Sequence, residues 1–190
     1  MIGIGGCIGS GKTTVCKIFA EYGAQYISAD EIGWEVLEEI REELKKTFGN
    51  EIMRDNEIDR GKLRDIVFSD RRHLERLNGL SHPLLKEKLI HRLDAITRGV
   101  VVVDAALLFS WPDILTHIDV PVLVKADDRN REHRVRENGM NKETFLKIQN
   151  MQERDGETEP RARYVIANNG SLEDLRMQCR KIYEEITSDC

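Results

Sequence analysis

The chain has 190 residues, a length that suits one domain carrying small insertions. Its 34 acidic and 29 basic side chains leave a net charge of −5, which argues against nucleic acid as a partner. No apolar run approaches the roughly 20 residues needed to span a bilayer, so a membrane partner is not expected either.

The cysteines show neither paired metal-ligand spacing nor a Cys-x-x-Cys motif, which favours free thiols in a reducing compartment. There are four of them: Cys7, Cys16, Cys179 and Cys190. We therefore expect a cytoplasmic protein, and the expected assembly is a monomer.

Short apolar runs alternate with helical periodicity, which predicts an α/β fold with a parallel sheet. In chain order, the first half is expected to form a strand over 1–5, a helix over 13–22, a strand over Gln25–Ser28 and a helix over 31–48. The residues from about 50 to 97 are the least sheet-like. Their expected helices cover 59–68, 70–80 and a third stretch that begins at Ser81-His82-Pro83 and runs towards Gly99.

The second half is expected to add three strands to the sheet. Strands are predicted over 100–104, 120–124 and Tyr164–Ala167, with Pro121 near the start of its strand or on an edge. A charged helix should follow Asp127-Asp128 and end at Asn138-Gly139, and Asn141 should cap another that runs to about Arg154. Ser171 and Asp174 form the capping box of a final helix.

Residues 6–13, here called the phosphate loop, match the motif G-x-x-x-x-G-K-[ST] at every fixed position. Glycines let successive backbone N–H groups point at phosphate oxygens, and the following helix adds the positive end of its dipole. Lys12 can reach the terminal phosphates, and the Thr13 hydroxyl can join a Mg²⁺ shell. The loop and its next residue give the expected ATP-binding set: Gly6, Cys7, Ile8, Gly9, Ser10, Gly11, Lys12, Thr13 and Thr14.

Other nucleotide-binding classes fit the sequence less well. A GTPase needs Asn-Lys-x-Asp, whereas the nearest string, Asn141-Lys142-Glu143-Thr144, lacks the aspartate. A transporter ATPase would show Leu-Ser-Gly-Gly, which is absent from the sequence. The size fits a small-molecule kinase with a core of about 1–30, 98–128 and 160–190, an acceptor-binding helical insertion of about 31–97 and a lid of about 129–159.

Residues outside the loop add a resemblance to a family that covers nearly the whole chain. Residues 3–14 resemble the opening motif of dephospho-coenzyme A kinases, Ser28-Ala29-Asp30 resembles their Asp-Ala-Asp, and residues 104–109 resemble their Asp-x-Pro-Leu-Leu-Phe-Glu. The remaining matches, in the family's order, are Ile58-Asp59-Arg60, Leu63, Val67-Phe68, Leu74-Glu75, His82-Pro83, Gln152, Val165-Ile166 and Asn168-Asn169-Gly170.

The resemblance implies an activity: phosphorylation of the ribose 3′-hydroxyl of dephospho-CoA by ATP, the last step of CoA biosynthesis. It also implies the P-loop nucleoside-triphosphate hydrolase fold, nucleoside monophosphate kinase-like, with a parallel sheet flanked by helices. ATP and dephospho-CoA are then the partners, and Mg²⁺ is the cofactor.

The resemblance also suggests roles for individual residues, each with a simpler alternative. Asp30 would accept the proton of the 3′-hydroxyl, or only cap the helix that begins at Glu31. Asp104 would hold a Mg²⁺-bound water or the acceptor, or only end its strand. Among the basic residues 129, 131, 134 and 136, Arg134 aligns best with the family's lid arginine and would stabilise charge on the transferred phosphoryl group. Arg136 is a further ATP-binding candidate, although charged helices of this kind are usually solvated faces.

Further candidates lie on the acceptor and adenine sides. Arg60 would contact an anionic part of the substrate, or form an ion pair with Asp59 or Asp65; His82 would contact the substrate or cap a helix. Leu107 is a further substrate-binding candidate. Trp34 would pack in the core or line the acceptor cleft, and Asn168 and Gly170 would border the adenine or simply form a tight turn.

The sequence also departs from the family pattern. Ser28 and Ser110 replace acids, Ala106 replaces a proline, Arg163 stands where an aspartate is common, and Cys7 replaces a loop glycine. These changes leave two alternatives open: a related kinase with another acceptor, such as a nucleoside monophosphate or a small alcohol, and a nucleotide-binding sensor without turnover.

Overall fold

The computed structural model describes residues 1–152 and 155–188. Its strands are β1 (Ile2–Gly5), β2 (Gln25–Ser28), β3 (Met53–Arg54), β4 (Glu57–Ile58), β5 (Val101–Asp104), β6 (Val120–Lys125) and β7 (Tyr164–Ala167). Its α-helices are α1 (Lys12–Glu21), α2 (Ala29–Glu39), α3 (Arg41–Phe48), α4 (Arg60–Val67), α5 (Arg71–Asp94), α6 (Pro112–Leu115), α7 (Asp128–Glu137), α8 (Lys142–Met151), α9 (Asp155–Thr158) and α10 (Leu172–Ser188). Short 3₁₀ turns cover Asn50–Ile52, Leu108–Ser110 and Glu159–Arg161.

The chain divides into two compact units: Met1–Ser28 with Ile96–Cys190, and Ala29–Ala95. The first unit contains a five-stranded sheet in the order β2-β5-β1-β6-β7, in which every pairing is parallel. The sheet confirms the predicted α/β class, and its five strands are those expected from the sequence.

The core of the first unit explains which residues form the sheet and the helices beside it. β1 and β5 are buried at every position, as expected for apolar strands inside a parallel sheet. Helices α1 and α10 contribute buried side chains to the same cluster, among them Phe19, Leu175 and Ile182. Packing of α1 against this sheet fixes the start of the helix, where the phosphate loop ends.

The glycines of β1 allow the turn after β5 to lie directly on that strand. A Cβ atom on Gly3 would lie 2.8 Å from a Leu108 methyl group, and one on Gly5 would lie 2.5 Å from the Phe109 ring. Larger residues at these two positions would push the turn away. The close approach therefore keeps residues 106–110 beside the phosphate loop.

At the β7 edge of the sheet, a side chain bonds backbone groups that would otherwise face a neighbouring strand. β7 pairs only with β6, so the outward-facing groups of Ala167 have no strand beside them. Gln178 of α10 bonds both of them: its Oε1 accepts from the Ala167 N–H at 3.1 Å, and its Nε2 donates to the Ala167 carbonyl at 3.0 Å. These two bonds tie the end of β7 to α10.

The second unit is mainly helical. Buried Ile32 and Val36 of α2, and Leu85 and Leu89 of α5, belong to its core. Two ion pairs join the same helices: Arg92 with Glu35 at 2.6 Å, and Lys88 with Glu39 at 2.7 Å.

Three predicted helices of the second unit are wrong in their extent. The helix expected over 31–48 is divided at Ile40 into α2 and α3. The helices expected over 70–80 and from Ser81 are one helix, α5, with Pro83 inside it. Proline removes one helical hydrogen bond and usually ends a helix, but here burial of Leu85, Leu89 and Leu93 beyond it holds the same helix against the core.

Smaller features also differ from the predictions. Residues 53–58 form a hairpin of β3 and β4 that the sequence reasoning missed, although Asp55 and Asn56 have positive φ values of 51° and 67° and are residues that tolerate this conformation. Pro121 lies near the start of β6, as predicted, but β6 is an inner strand and not an edge. The predicted end of the Asn141-capped helix, near Arg154, lies outside the described residues.

Candidate active site

The phosphate loop is built around three glycines with positive φ: Gly6 at 142°, Gly9 at 75° and Gly11 at 97°. Each is also packed too closely for a side chain. A Cβ atom would lie 2.3 Å from the Val124 carbonyl oxygen at Gly6, and 2.2 Å from Asn168 Nδ2 at Gly11. The glycines of the motif are therefore required both by backbone conformation and by space.

One peptide group of the loop is held at both ends. The Cys7 carbonyl accepts hydrogen bonds from the Ser10 N–H at 3.1 Å and from Lys12 Nζ at 3.2 Å. The Ile8 N–H donates to Gln152 Oε1 at 2.8 Å. Sequence reasoning noted Gln152 only as one of the family matches and gave it no role, because its separation of 144 residues from Ile8 conceals the contact.

Thr13 and Asp104, expected separately from the sequence, are hydrogen-bonded to each other. The Thr13 hydroxyl, in the first turn of α1, donates to Asp104 Oδ2 at 2.6 Å, and the Tyr26 hydroxyl donates to the same oxygen at 3.4 Å. Asp104 ends β5 and is only 8% exposed. Burial, with a smaller contribution from Asp104, raises the pKa of Tyr26 to about 12, so this phenol stays a hydrogen-bond donor at neutral pH.

This pair of oxygen atoms suits a hard divalent cation. Mg²⁺ in kinases is usually held by one or two protein oxygens together with phosphate oxygens and water, and a hydroxyl beside a carboxylate supplies that set. Within the described ranges, no cluster of three or more His, Cys, Asp or Glu side chains could hold a metal on its own. The two oxygen donors present fit an ion whose remaining ligands come from phosphate and water.

Arg134 and Asn168 meet at the back of the phosphate loop. Arg134 donates to the carbonyls of Gly9 and Ser10, both at 3.3 Å, and to the Asn168 carbonyl at 2.7 Å. Asn168 is 7% exposed, and its Nδ2 donates to the Ser10 carbonyl at 2.8 Å. The structure thus joins α7, the turn after β7 and the loop through two residues that sequence reasoning had selected.

The other candidates of the first unit lie in different surroundings. Arg136 is exposed and lies 3.8 Å from Glu132. Gly170 adjoins the Asp174 carboxylate that closes the predicted capping box. Thr14 is exposed, and Leu107 borders a small cavity of about 20 Å³ together with Gly6, Cys7 and Gln152.

The second unit contains a cavity of about 560 Å³. Asp30, Trp34, Arg60 and His82 all line it, and most of the other lining side chains are apolar. The Arg60 guanidinium lies 4.1 Å from the centroid of the Trp34 ring, a cation–π contact. The cavity therefore combines apolar walls with the Trp34 and Phe68 rings, the Arg60 and Arg64 guanidinium groups and the Asp30 carboxylate.

Several sequence alternatives can be decided within this unit. Asp30 is the second residue of α2 and does not precede it, so its interpretation as the cap of a helix beginning at Glu31 is wrong. His82 lies inside α5, so its capping interpretation is wrong too; burial, with a smaller contribution from Lys86, lowers its pKa. Asp59 instead caps α4, accepting from the N–H groups of Gly61 and Lys62.

Comparison with known proteins gives one consistent result. A sequence model of the family described as dephospho-CoA kinase matches residues 1–174. The dephospho-CoA kinase of Fusobacterium nucleatum is 36% identical over 190 residues, which cover 98% of this chain and 98% of that protein.

Solved structures agree with the sequence comparison. A crystal structure from Thermus thermophilus has a TM-score of 0.79 at 32% identity and covers 97% of this chain and 96% of its own. The dephospho-CoA kinase of Campylobacter jejuni has a TM-score of 0.73 at 22% identity, with coverage of 99% and 97%, and so shares the fold. In the described part of the chain, no helix is long and apolar enough to cross a membrane.

Proposed function

Because the chain belongs to the dephospho-CoA kinase family, we propose that it transfers the γ-phosphoryl group of ATP to the ribose 3′-hydroxyl of dephospho-CoA. The observation that carries the proposal is the hydrogen-bonded pair of Thr13 and Asp104 beside a glycine loop that contains Lys12. This arrangement supplies backbone amides, an ammonium group and a carboxylate at the carboxyl end of neighbouring strands, where open α/β sheets bind ligands.

The first unit binds the donor. Backbone N–H groups of the loop and the N-terminal end of α1 face the phosphates, and Lys12 meets the terminal ones. Thr13 and Asp104 would hold Mg²⁺, which when bound would offset the negative charge of the phosphate oxygens. Asn168 and Gly170, in the turn after β7, border the adenine.

The second unit binds the acceptor. Its cavity offers the Arg60 guanidinium to an anionic group and the Trp34 ring to a flat or apolar one, which suits a substrate with phosphate, adenine and pantetheine parts. Lowering of the His82 pKa by burial keeps this ring mainly neutral at pH 7, so it acts as a hydrogen-bonding partner rather than as a further cation beside Arg60 and Arg64.

Asp30 accepts the proton of the attacking hydroxyl. It is exposed, lines the same cavity and is separated from the end of β2 by Ala29 alone. A carboxylate within hydrogen-bond reach of a hydroxyl orients its oxygen for in-line attack and takes the proton as the bond to phosphorus forms.

Charge on the transferred phosphoryl group is stabilised by Arg134. Its guanidinium is held at the phosphate loop by hydrogen bonds to the carbonyls of Gly9 and Ser10. A short movement of this side chain would therefore bring it to a terminal phosphate. Arg136, which is exposed, contributes from the outer side of α7. The reaction proceeds by direct transfer, without a covalent enzyme intermediate.

A coupled assay of ADP release over a panel of acceptors tests the proposal. Dephospho-CoA should stimulate release, AMP and a small alcohol should not, and the product should carry a 3′-phosphate by mass spectrometry. Lys12→Met should abolish the stimulation. A stronger response to another acceptor would show a related kinase, and no response to any acceptor would show a nucleotide-binding protein without turnover; either result overturns the proposal.

A further inference from the structure

Gln152 controls one end of a peptide group whose other end meets Lys12. The N–H of Ile8 and the carbonyl of Cys7 belong to the same peptide group, and in a planar trans peptide they point in opposite directions. Gln152 Oε1 holds the N–H at 2.8 Å, and Lys12 Nζ bonds the carbonyl at 3.2 Å. The Cys7 carbonyl also accepts from the Ser10 N–H at 3.1 Å, so rotation of this peptide group would break all three bonds together.

The main chain of Gln152 is itself anchored. Gln152 follows α8 as its C-cap, and its N–H donates to the carbonyls of Ile148 at 3.2 Å and Gln149 at 3.4 Å. The Asn141 side chain caps the other end of α8 by accepting from the Thr144 N–H at 2.8 Å. α8 is therefore capped at both ends, and Gln152 at its C-terminal end places one side-chain carbonyl at the phosphate loop.

We propose that Gln152 is a positioning residue for phosphoryl transfer, which acts through the Cys7–Ile8 peptide group on Lys12. By holding the Ile8 N–H, it turns the Cys7 carbonyl towards the Lys12 ammonium group and keeps that cation within the loop. The inference rests on the proposed role of Lys12 at the terminal phosphates. It also makes the Ile8 N–H a structural donor, like the Ser10 N–H that bonds the Cys7 carbonyl, which leaves amides of the loop other than these two to bind phosphate.

The chemistry of glutamine suits this role. Its amide oxygen is a neutral acceptor, so it fixes the peptide group without placing a negative charge beside a triphosphate, as a glutamate would. Loss of one hydrogen bond between neutral groups corresponds to roughly a 3- to 10-fold change in an equilibrium or rate, and we expect an effect of that size on kcat/KM for ATP.

The test compares Gln152→Met, which keeps the length of the side chain but loses the strong acceptor, with Gln149→Met as the matched control. Gln149 lies one turn earlier on α8 and bonds Asp128. In nucleotide-free protein labelled with ¹⁵N-isoleucine, Gln152→Met should shift the Ile8 amide proton upfield and speed its hydrogen exchange. Gln149→Met should leave this resonance in place.

Two functional measurements complete the test. Gln152→Met should lower kcat/KM for ATP by roughly 3- to 10-fold, and in a Lys12→Met background it should cause no further loss of ATP affinity, because residues that act through one another are not additive. An unchanged kcat/KM, an unchanged Ile8 resonance or a full additional loss in the Lys12→Met background would overturn the proposal. The resonance and ATP affinity do not depend on the acceptor, so they separate this inference from failure of the proposed reaction.

Discussion

Replacing Gly11 by alanine should disturb the phosphate loop in two separable ways. Gly11 has a φ of 97°, so the backbone of any L-residue at this position would be strained. The new Cβ atom would also lie 2.2 Å from Asn168 Nδ2, which is far inside contact distance. Asn168 would have to move, and its bonds to the Ser10 carbonyl and from Arg134 Nη2, at 2.8 and 3.3 Å, would be lost.

The size of each part follows from the structure. Left-handed backbone costs an L-residue about 1–2 kcal/mol, and each lost hydrogen bond costs about 0.5–1.5 kcal/mol. Gly11→Ala should therefore lower the free energy of unfolding by about 2–5 kcal/mol in total. Gly139 provides the control, because its φ is 81° but a Cβ atom there would meet nothing within 4 Å; Gly139→Ala should cost about 1–2 kcal/mol.

Urea denaturation of both variants, with linear extrapolation to water, measures the difference. Calorimetric titration with an ATP analogue then measures nucleotide affinity in both variants. Affinity should fall more in Gly11→Ala than in Gly139→Ala, since only Gly11→Ala displaces Asn168 and the Arg134 contact. Equal losses of stability in the two variants, or unchanged nucleotide affinity in Gly11→Ala, would refute the reasoning that Asn168 supports the phosphate loop through its bond to the Ser10 carbonyl.

Three further predictions concern the reaction and the thiols. Asp30→Asn should reduce turnover sharply while ATP affinity stays nearly intact, and wild-type turnover in this variant would remove Asp30 from the mechanism. Arg60→Ala should raise KM for dephospho-CoA about tenfold, as expected for loss of a charge-assisted contact, with KM for ATP unchanged; an equal rise in both constants would argue against an acceptor role. Alkylation at pH 8 should modify half-buried Cys7 and be blocked by ATP, while Cys16 and Cys179 react slowly, because burial raises the pKa of both thiols, that of Cys179 to about 11. Peptide mass spectrometry checks the last prediction, which modification of Cys16 ahead of Cys7 would contradict.

Local signals in the sequence were sufficient for the parts of the fold that depend on neighbouring residues. The phosphate loop has a fixed spacing of glycines, and the Ser171–Asp174 capping box is confirmed by reciprocal bonds of 2.9 and 3.2 Å. The strands of the parallel sheet are short apolar runs, and all five were found. Helix ends were predicted less well from the sequence. Pro83 indicated a helix boundary, but packing of the leucines that follow it keeps α5 continuous.

Contacts between distant parts of the chain could not be obtained from local signals. Thr13 and Asp104 are 91 residues apart, and Gln152 and Ile8 are 144 apart, so neither bond leaves a periodic pattern. The role of Asp104 was undecided between metal, acceptor and strand end, and only the structure brings its carboxylate to the Thr13 hydroxyl. The proposed roles of Asp30, Arg134 and the acceptor-side residues stay predictions until substrates are tested.

At the edge of the sheet, the side-chain amide of Gln178 makes the two hydrogen bonds to Ala167 that a neighbouring strand would otherwise make. A foreign strand that docked along β7 would need the same N–H and C=O of Ala167 that Gln178 already occupies, so growth by strand addition is blocked at the end nearest Asn168. The same two bonds hold the end of β7 next to Asn168, whose side chain bonds the phosphate loop.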